Sequence, residues 1–172
     1  MKSNNQLNGV SPRLCVRPYK LSDYKSWSTA VIRACEVDGG KDSFRKKVLK
    51  NRQLRKEDRS YVFGIFHKKT NEHLGEIEIN IIVRRNFRWA NLGYEIHSHY
   101  RNKGFAKEGA AAVLEIGHNF LDLHRIEAVM PASNKASIKV ARALKMKKEG
   151  IRRRFIPMSE GWTDAMVFVS VR

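Results

Sequence analysis

The chain has 172 residues, 42% of them hydrophobic, which suits one folded domain with a core and excludes a disordered chain. Thirty-four Lys and Arg against seventeen Asp and Glu leave a formal charge of +17, which favours anionic partners without choosing among phosphates, RNA and acidic peptides. No apolar run approaches the roughly 18 residues of a membrane span, and the polar opening MKSNNQLNGVSPR lacks a secretory signal's apolar stretch, so a cytoplasmic protein is expected.

Residues 1–11 read as a flexible arm and residues 12–172 as a single domain. Leu14 to Arg17 form a short strand stopped by Pro18. Ser22 and Asp23 offer an N-cap for a helix running to about Cys35, and Gly39-Gly40 breaks it. Asp42 or Ser43 caps a second helix, in which Phe44, Val48 and Leu54 sit among nine basic residues between positions 41 and 59. Residues 61–67 and 74–83 form a hairpin around Lys69-Thr70-Asn71-Glu72. Alternation puts Ile77, Ile79 and Ile81 on one face of the second strand, and Glu76, Glu78 and Asn80 on the other. Residues 89–96 form a further strand, and Phe87, Trp89 and Tyr94 are expected to bury into the sheet.

A loop at 98–104 then leads into a helix over 105–121, whose Ala106, Ala110, Val113, Leu114, Gly117, Phe120 and Leu121 share one side. Residues 125–130 form a strand and 137–144 a helix, with strand candidates at Phe155 and over 166–171. Between residues 135 and 154 lie nine more basic residues against the single acid Glu149. The order β-α-α-β-β-β-α-β-α-β-β is that of an α/β (α+β) protein: a mixed, mostly antiparallel sheet of about six to seven strands with flanking helices. Cys15 and Cys35 are too few for a disulfide framework. His97 and His99 lack a third ligand, so no metal is expected.

The segment Arg101-Asn102-Lys103-Gly104-Phe105-Ala106 lies between a strand and a helix. A helix N-terminus offers unpaired N–H donors and the positive end of the dipole, which suits a pyrophosphate. Gly104 and Ala106 let a ligand approach the backbone, and Arg101 and Lys103 add charge. The six residues alone equally describe a plain surface loop. They are not a P-loop, since no Gly-Lys-Ser/Thr follows, nor a dinucleotide fingerprint, since the three-glycine spacing is missing.

This segment resembles the Gln/Arg-x-x-Gly-x-Gly/Ala signature of the GNAT acetyltransferases. So do Leu123-His124-Arg125-Ile126-Glu127-Ala128, Asn134-Lys-Ala-Ser137, Lys148-Glu149-Gly150 and Trp162-Thr-Asp164, whose order and spacing are similar to the branch that acetylates the N-termini (alanine or serine) of ribosomal proteins. The opening Arg13 to Pro18 with Asp23 is similar too. The resemblance implies a V-shaped gap between the strands at 91–96 and 125–130 that takes acetyl-CoA as co-substrate. It implies backbone contacts from Glu95, Ile96 and His97 to the pantetheine, the pyrophosphate on residues 101–106, Asn134 against the pantetheine and Ser137 near the thiol, where its hydroxyl would protonate the thiolate. The amine attacks directly.

Glu76, Glu78, Glu95 and Glu127 are candidates for the base, with Glu78 and Glu95 preferred. Glu127 serves equally as an ion-pair partner of Arg125. Ser137 serves equally as a helix cap, Asn134 as a turn residue, and Trp162 suits packing better than substrate contact. Three departures stand out. Leu144-Lys145-Met146 replaces Leu-Gly-Phe and should alter how the last helix ends. Ala141 stands where other branches have a Tyr acid. No acid follows Glu149-Gly150 before Glu160. The expected acceptor is a protein N-terminus, in a monomer or homodimer working near RNA or the ribosome. A polyamine or aminoglycoside acetyltransferase and a non-catalytic RNA-binding scaffold are the other readings.

Overall fold

The computed structural model describes residues 7–34 and 40–172. A single sheet holds the strands β1 (Gly9–Val10), β2 (Leu14–Arg17), β3 (Ser60–His67), β4 (His73–Val83), β5 (Trp89–Ile96), β6 (Arg125–Pro131), β7 (Lys147–Met158) and β8 (Gly161–Val171), in the order β1-β2-β3-β4-β5-β6-β8-β7. Every neighbouring pair is antiparallel except β5 with β6. Eight strands exceed the six to seven expected, and the surplus is β1. That stretch was expected to be a flexible arm; instead Gly9 and Val10 pair with Val16 and Cys15, and Leu7 is 2% exposed in the core. Residues 1–6 of the expected arm, and Cys35 and Gly39 at the expected end of the first helix, lie outside the described residues.

Helices cover both faces. Alternation along β3, β4 and β5 sends Phe63, Ile65, Ile77, Ile79, Leu92 and Ile96 to one face, where they pack with Ala110, Val113 and Leu114 of α3 (Phe105–Glu115) and Ile138 of α4 (Lys135–Ala143). On the other face, Val62 and Phe66 meet Trp27 and Val31 of α1 (Tyr24–Arg33) and Phe44 and Val48 of α2 (Lys41–Lys56). The charges of α2 sit on its outer side, so its sparse apolar residues suffice to dock it.

Several local expectations change. Asp23 does not cap α1 with its side chain. Its carboxylate is held by both terminal nitrogens of Arg17, at 2.7 and 2.8 Å, and by the Lys20 N–H at 2.8 Å. The helix α2 begins earlier than expected, with Gly40 at the N-cap rather than Asp42 or Ser43. The helix expected to run to Leu121 ends at Glu115 and continues as one wide turn over Ile116–Phe120, closed by Leu121 N–H on Ile116 O at 3.0 Å. The extra residue in that turn brings Leu121 and Leu123 into the core and leaves Phe120 41% exposed. Phe87, at the β4–β5 turn, is 67% exposed, and Trp162, on the β7–β8 hairpin, is 65% exposed, so neither packs as expected.

Candidate active site

The parallel pairing of β5 with β6 covers three registers only: Trp89 with Arg125, Ala90 with Ile126, and Asn91 with Glu127. Past them β6 keeps its pairing with β8 as far as Pro131, and β5 keeps its pairing with β4 as far as Ile96. The two strands therefore part after Asn91, and the V-shaped gap is present. The His97 N–H goes to Leu74 O on β4 at 3.0 Å. By alternation, the backbone groups of Leu92, Tyr94 and Ile96 face the gap. His97 thus differs from its expected part as a backbone contact, because its N–H is committed to β4. Across the gap, the Tyr94 hydroxyl donates to Ser137 O at 3.1 Å.

Below the wide end of the gap, Gly104 takes a left-handed conformation (φ 80°, ψ 2°) and serves as N-cap of α3. The first α3 amide with a carbonyl partner is that of Glu108, on Gly104 O at 3.1 Å. The amides before it point out of the helix start, as a phosphate group needs. Asn102 is left-handed too (φ 61°), which folds the loop back on itself. The residues expected at the pyrophosphate divide. Gly104 and the backbones of Phe105 and Ala106 form the helix entrance, while the Phe105 side chain is buried in the core. Lys103 and Asn102 are exposed on the loop. The Arg101 side chain folds back, with Nε donating to Ile96 O at 3.0 Å.

A second arginine takes up the position. Arg13 Nη2 would lie 3.4 Å from a Cβ placed on Gly104, and its guanidinium stacks over the Phe105 ring at 4.6 Å. Glu108 anchors it, accepting from Arg13 Nε at 2.7 Å, from the Arg13 N–H at 2.8 Å and from Ser11 Oγ at 2.7 Å. Burial works to raise the Glu108 carboxyl, but hydrogen bonds from Ser11 and Arg13 outweigh it and hold the group below its ordinary value. Arg13 was not expected at the site, because ninety-five residues separate it from the acid that positions it.

The acidic face of the sheet lies under and beside α2. Cross-strand partners there are Glu76 with Glu95, Glu78 with Gly93, and Asn80 with Asn91. Glu76 is neutralised by Lys47 of α2 at 2.7 Å. Glu127 is 1% exposed, with one oxygen on Arg125 at 2.6 Å and the other on Arg152 at 2.7 Å. Both acids hold structure, which leaves Glu78 and Glu95 among the four candidates. The Glu78 carboxylate reaches over Gly93, 3.1 Å from where a Cβ would stand, so the missing side chain there makes its room. Glu95 is exposed one register nearer the loop.

On the opposite side of the gap, Asn134 and Ser137 form one unit. Asn134 is the N-cap of α4 and accepts the Ser137 N–H on Oδ1 at 3.0 Å. Asn134, not Ser137, is therefore the cap, and among the described residues nothing hydrogen-bonds the Ser137 hydroxyl. Ala141 is fully buried, so no acid replaces the missing Tyr from that position. Under the end of β5 runs a buried chain that the sequence did not suggest. The Tyr19 hydroxyl lies 2.8 Å from His73 Nε2, and His73 Nδ1 lies 2.9 Å from His97 Nε2. Among the described residues no group of three His, Cys, Asp or Glu gathers to hold a metal ion, and no helix is long and apolar enough to cross a membrane.

A mixed sheet splayed beside an open helix N-terminus is the arrangement of an acetyltransferase, and residues 13–147 match the acetyltransferase (GNAT) domain family. The probable N-acetyltransferase YjcK of Bacillus subtilis strain 168 is 29% identical over 123 residues, which are 72% of this chain and 68% of that protein. In fold, the chain matches the ribosomal-protein-S5-alanine acetyltransferase of Vibrio fischeri with a TM-score of 0.82 at 21% identity, over 95% of this chain and 96% of that one. It matches Mycobacterium smegmatis RimJ in complex with CoA-disulfide with a TM-score of 0.83 at 21% identity, over 95% and 85%. The chain belongs to the GNAT family of acetyltransferases.

Proposed function

We propose that the chain transfers the acetyl group of acetyl-CoA to the N-terminal α-amine of a protein, and that ribosomal proteins are the acceptor class. The parting of β5 from β6 after Asn91, with the entrance of α3 below it, carries this reading. The gap offers the backbone groups of Leu92, Tyr94 and Ile96 to a pantetheine. The amides ahead of Glu108, together with Arg13, Lys103 and Gly104, suit its pyrophosphate. The CoA-disulfide of the M. smegmatis RimJ structure and the ribosomal-protein acceptor named for the V. fischeri enzyme support the same assignment.

The two faces of the gap divide the chemistry. The amine enters on the acidic face, where Glu78 takes its proton directly or through water as the new N–C bond forms. An α-amine has a pKa near 8, so one carboxylate base suffices near neutrality. The C–S bond breaks, and the thiolate departs beside α4, where the Ser137 hydroxyl gives it a proton and regains one from solvent. Glu95 helps draw a cationic amine to the face, and Asn134 fixes the backbone that carries Ser137.

A thiol-release assay with acetyl-CoA tests the assignment, using short peptides with free N-termini, the same peptides blocked at the N-terminus, and spermidine. Turnover of free peptides alone supports it. Turnover of spermidine without peptides would assign a small-amine acceptor, and no release with any amine would leave only the scaffold reading.

A further inference from the structure

At the end of the sheet opposite the 101–106 loop, where β3 and β5 begin and β4 ends, a cavity of about 1250 Å³ opens between the segment after β2, the end of α2 and the β4–β5 turn. Eight basic residues line it against two acids, Asp58 and Asp122. Three of the eight are committed: Arg17 to Asp23, Arg84 to Asp58, and Arg88 to Asp122. The other five, Lys20, Arg52, Arg55, Lys56 and Arg85, have no carboxylate at ion-pair distance among the described residues.

The negative end of the α2 dipole accounts for Arg55 and Lys56 in its last turn. It does not account for Lys20 on the segment after β2 or Arg85 on the β4–β5 turn, which reach the same basin from two other parts of the chain. Arg55 is half-buried, and burial, with the charge of Arg52 beside it, holds its guanidinium below the ordinary value. Like charges that crowd a concave, partly desolvated site repel one another, and an anion that enters it relieves the cost.

The size and lining say which anion. The cavity exceeds the roughly 300–1,000 Å³ of small-molecule pockets. Its aromatic residues, Tyr19 and Tyr61, are each 7% exposed and offer no face for a base to stack on. We propose that this basin binds the phosphodiester backbone of a nucleic acid, without reading its bases. The site is separate from the acetyl-transfer gap and does not depend on which amine is acetylated.

The test uses the full chain and fluorescence anisotropy with a labelled RNA hairpin and a DNA duplex of equal length, from about 50 to 200 mM salt. Arg52→Ala/Arg55→Ala/Arg85→Ala should weaken binding at least about tenfold and flatten the salt slope by about two to three, since each phosphate contact contributes roughly 0.7–0.9. The charge-matched Lys25→Ala/Lys68→Ala/Lys69→Ala, outside the basin, should stay within about twofold of wild type. Tighter binding of RNA or of DNA by the wild type names the source of the backbone, and equal binding keeps the backbone reading. Equal losses in the two triple variants would make the binding a property of net charge and overturn the site, as would no binding by the wild type. Thiol release by the basin variant shows that it folds, and separates failure here from failure of the acetyl-transfer assignment.

Discussion

Tyr94 and Ser137 face each other across the gap between β5 and α4, joined by the Tyr94 hydroxyl on the Ser137 carbonyl at 3.1 Å. The bond ties the strand that lines one wall of the gap to the first turn of the helix that carries the other. Burial raises the phenol above its ordinary value, so it stays a neutral donor across the working pH range. Tyr94→Phe should lower stability by about 1 kcal/mol. The KM for acetyl-CoA should rise roughly fivefold with little change in kcat, the equivalent of about 1 kcal/mol of binding. Urea unfolding and steady-state thiol release check the two effects. A stability loss with an unchanged KM would make the bond a brace and nothing more.

Gly104 is where backbone conformation and ligand space make the same demand. A β-branched residue at φ 80° is strained by on the order of 1–2 kcal/mol, and its side chain would crowd Arg13 at the helix entrance. Gly104→Val should therefore raise the KM for acetyl-CoA by more than about tenfold while the chain remains folded. A normal KM in a folded variant would move the pyrophosphate elsewhere.

Much of this frame was legible in the sequence because it is local. Alternation over residues 74–83 separated the isoleucines from the acids, and the strand at 89–96 was placed to the residue. The loop was legible from its place between a strand and a helix start, while the gap entered through resemblance to a family, and the parting of β5 from β6 after Asn91 is its geometric reason. Long-range contacts were not legible. Arg13 reaches Gly104 only because Glu108 holds it from another element. Tyr19, His73 and His97 meet through three separate segments. Glu127 read equally as a base and as an ion-pair partner of Arg125; the pair with Arg125 is present, and what local sequence did not show is Arg152, 25 residues on, taking its second oxygen. Phe87 and Trp162 are exposed because one stands on a turn and the other near the tip of the β7–β8 hairpin, which hydrophobicity alone does not say.

Glu78 and Glu127 should respond to the same substitution in opposite ways. Glu78→Gln removes a half-exposed carboxylate with no ion-pair partner among the described residues and should cost little stability. It should lower kcat/KM by about 10²-fold near pH 7. The deficit should shrink as pH rises past about 8, where an α-amine loses its proton unaided. Glu127→Gln leaves Arg125 and Arg152 without their buried partner and should cost about 3 kcal/mol of stability. Thiol-release pH profiles and urea unfolding of both variants check this. Wild-type activity in Glu78→Gln at pH 7 would rule Glu78 out as the base and turn attention to Glu95.

Acid should destabilise the fold through His73. Burial, with the nearby His97 and Lys47 acting in the same direction, pushes its imidazole down to about 3 from an ordinary 6.5. Between those values the unfolded chain takes up a proton that the folded chain refuses, so stability is complete above about pH 6.5 and falls as the pH drops. The slope contributed by this one group is on the order of 1 kcal/mol per pH unit. Urea unfolding of the wild type and His73→Gln from pH 8 to pH 4.5 should show a shallower acid decline in the variant, even if it starts less stable. Parallel declines would assign the acid sensitivity to other groups.

The end of α4 offers a stabilising substitution. The absence of glycine from Leu144-Lys145-Met146 was expected to change how the helix stops. Instead the chain makes the turn that glycine favours, with Lys145 left-handed at φ 59°. The Lys145 N–H donates to Arg142 O at 2.9 Å and the Met146 N–H to Ala141 O at 3.1 Å, the paired bonds of a Schellman ending, and Met146 is buried beneath it. A left-handed non-glycine residue carries strain of about 1 kcal/mol that glycine does not. Lys145→Gly should therefore raise stability by about 0.5–1 kcal/mol, and Lys145→Ala should not. Urea unfolding distinguishes them: an equal gain in both would point to relief of positive charge, not of backbone strain, because alanine removes the charge and keeps the Cβ.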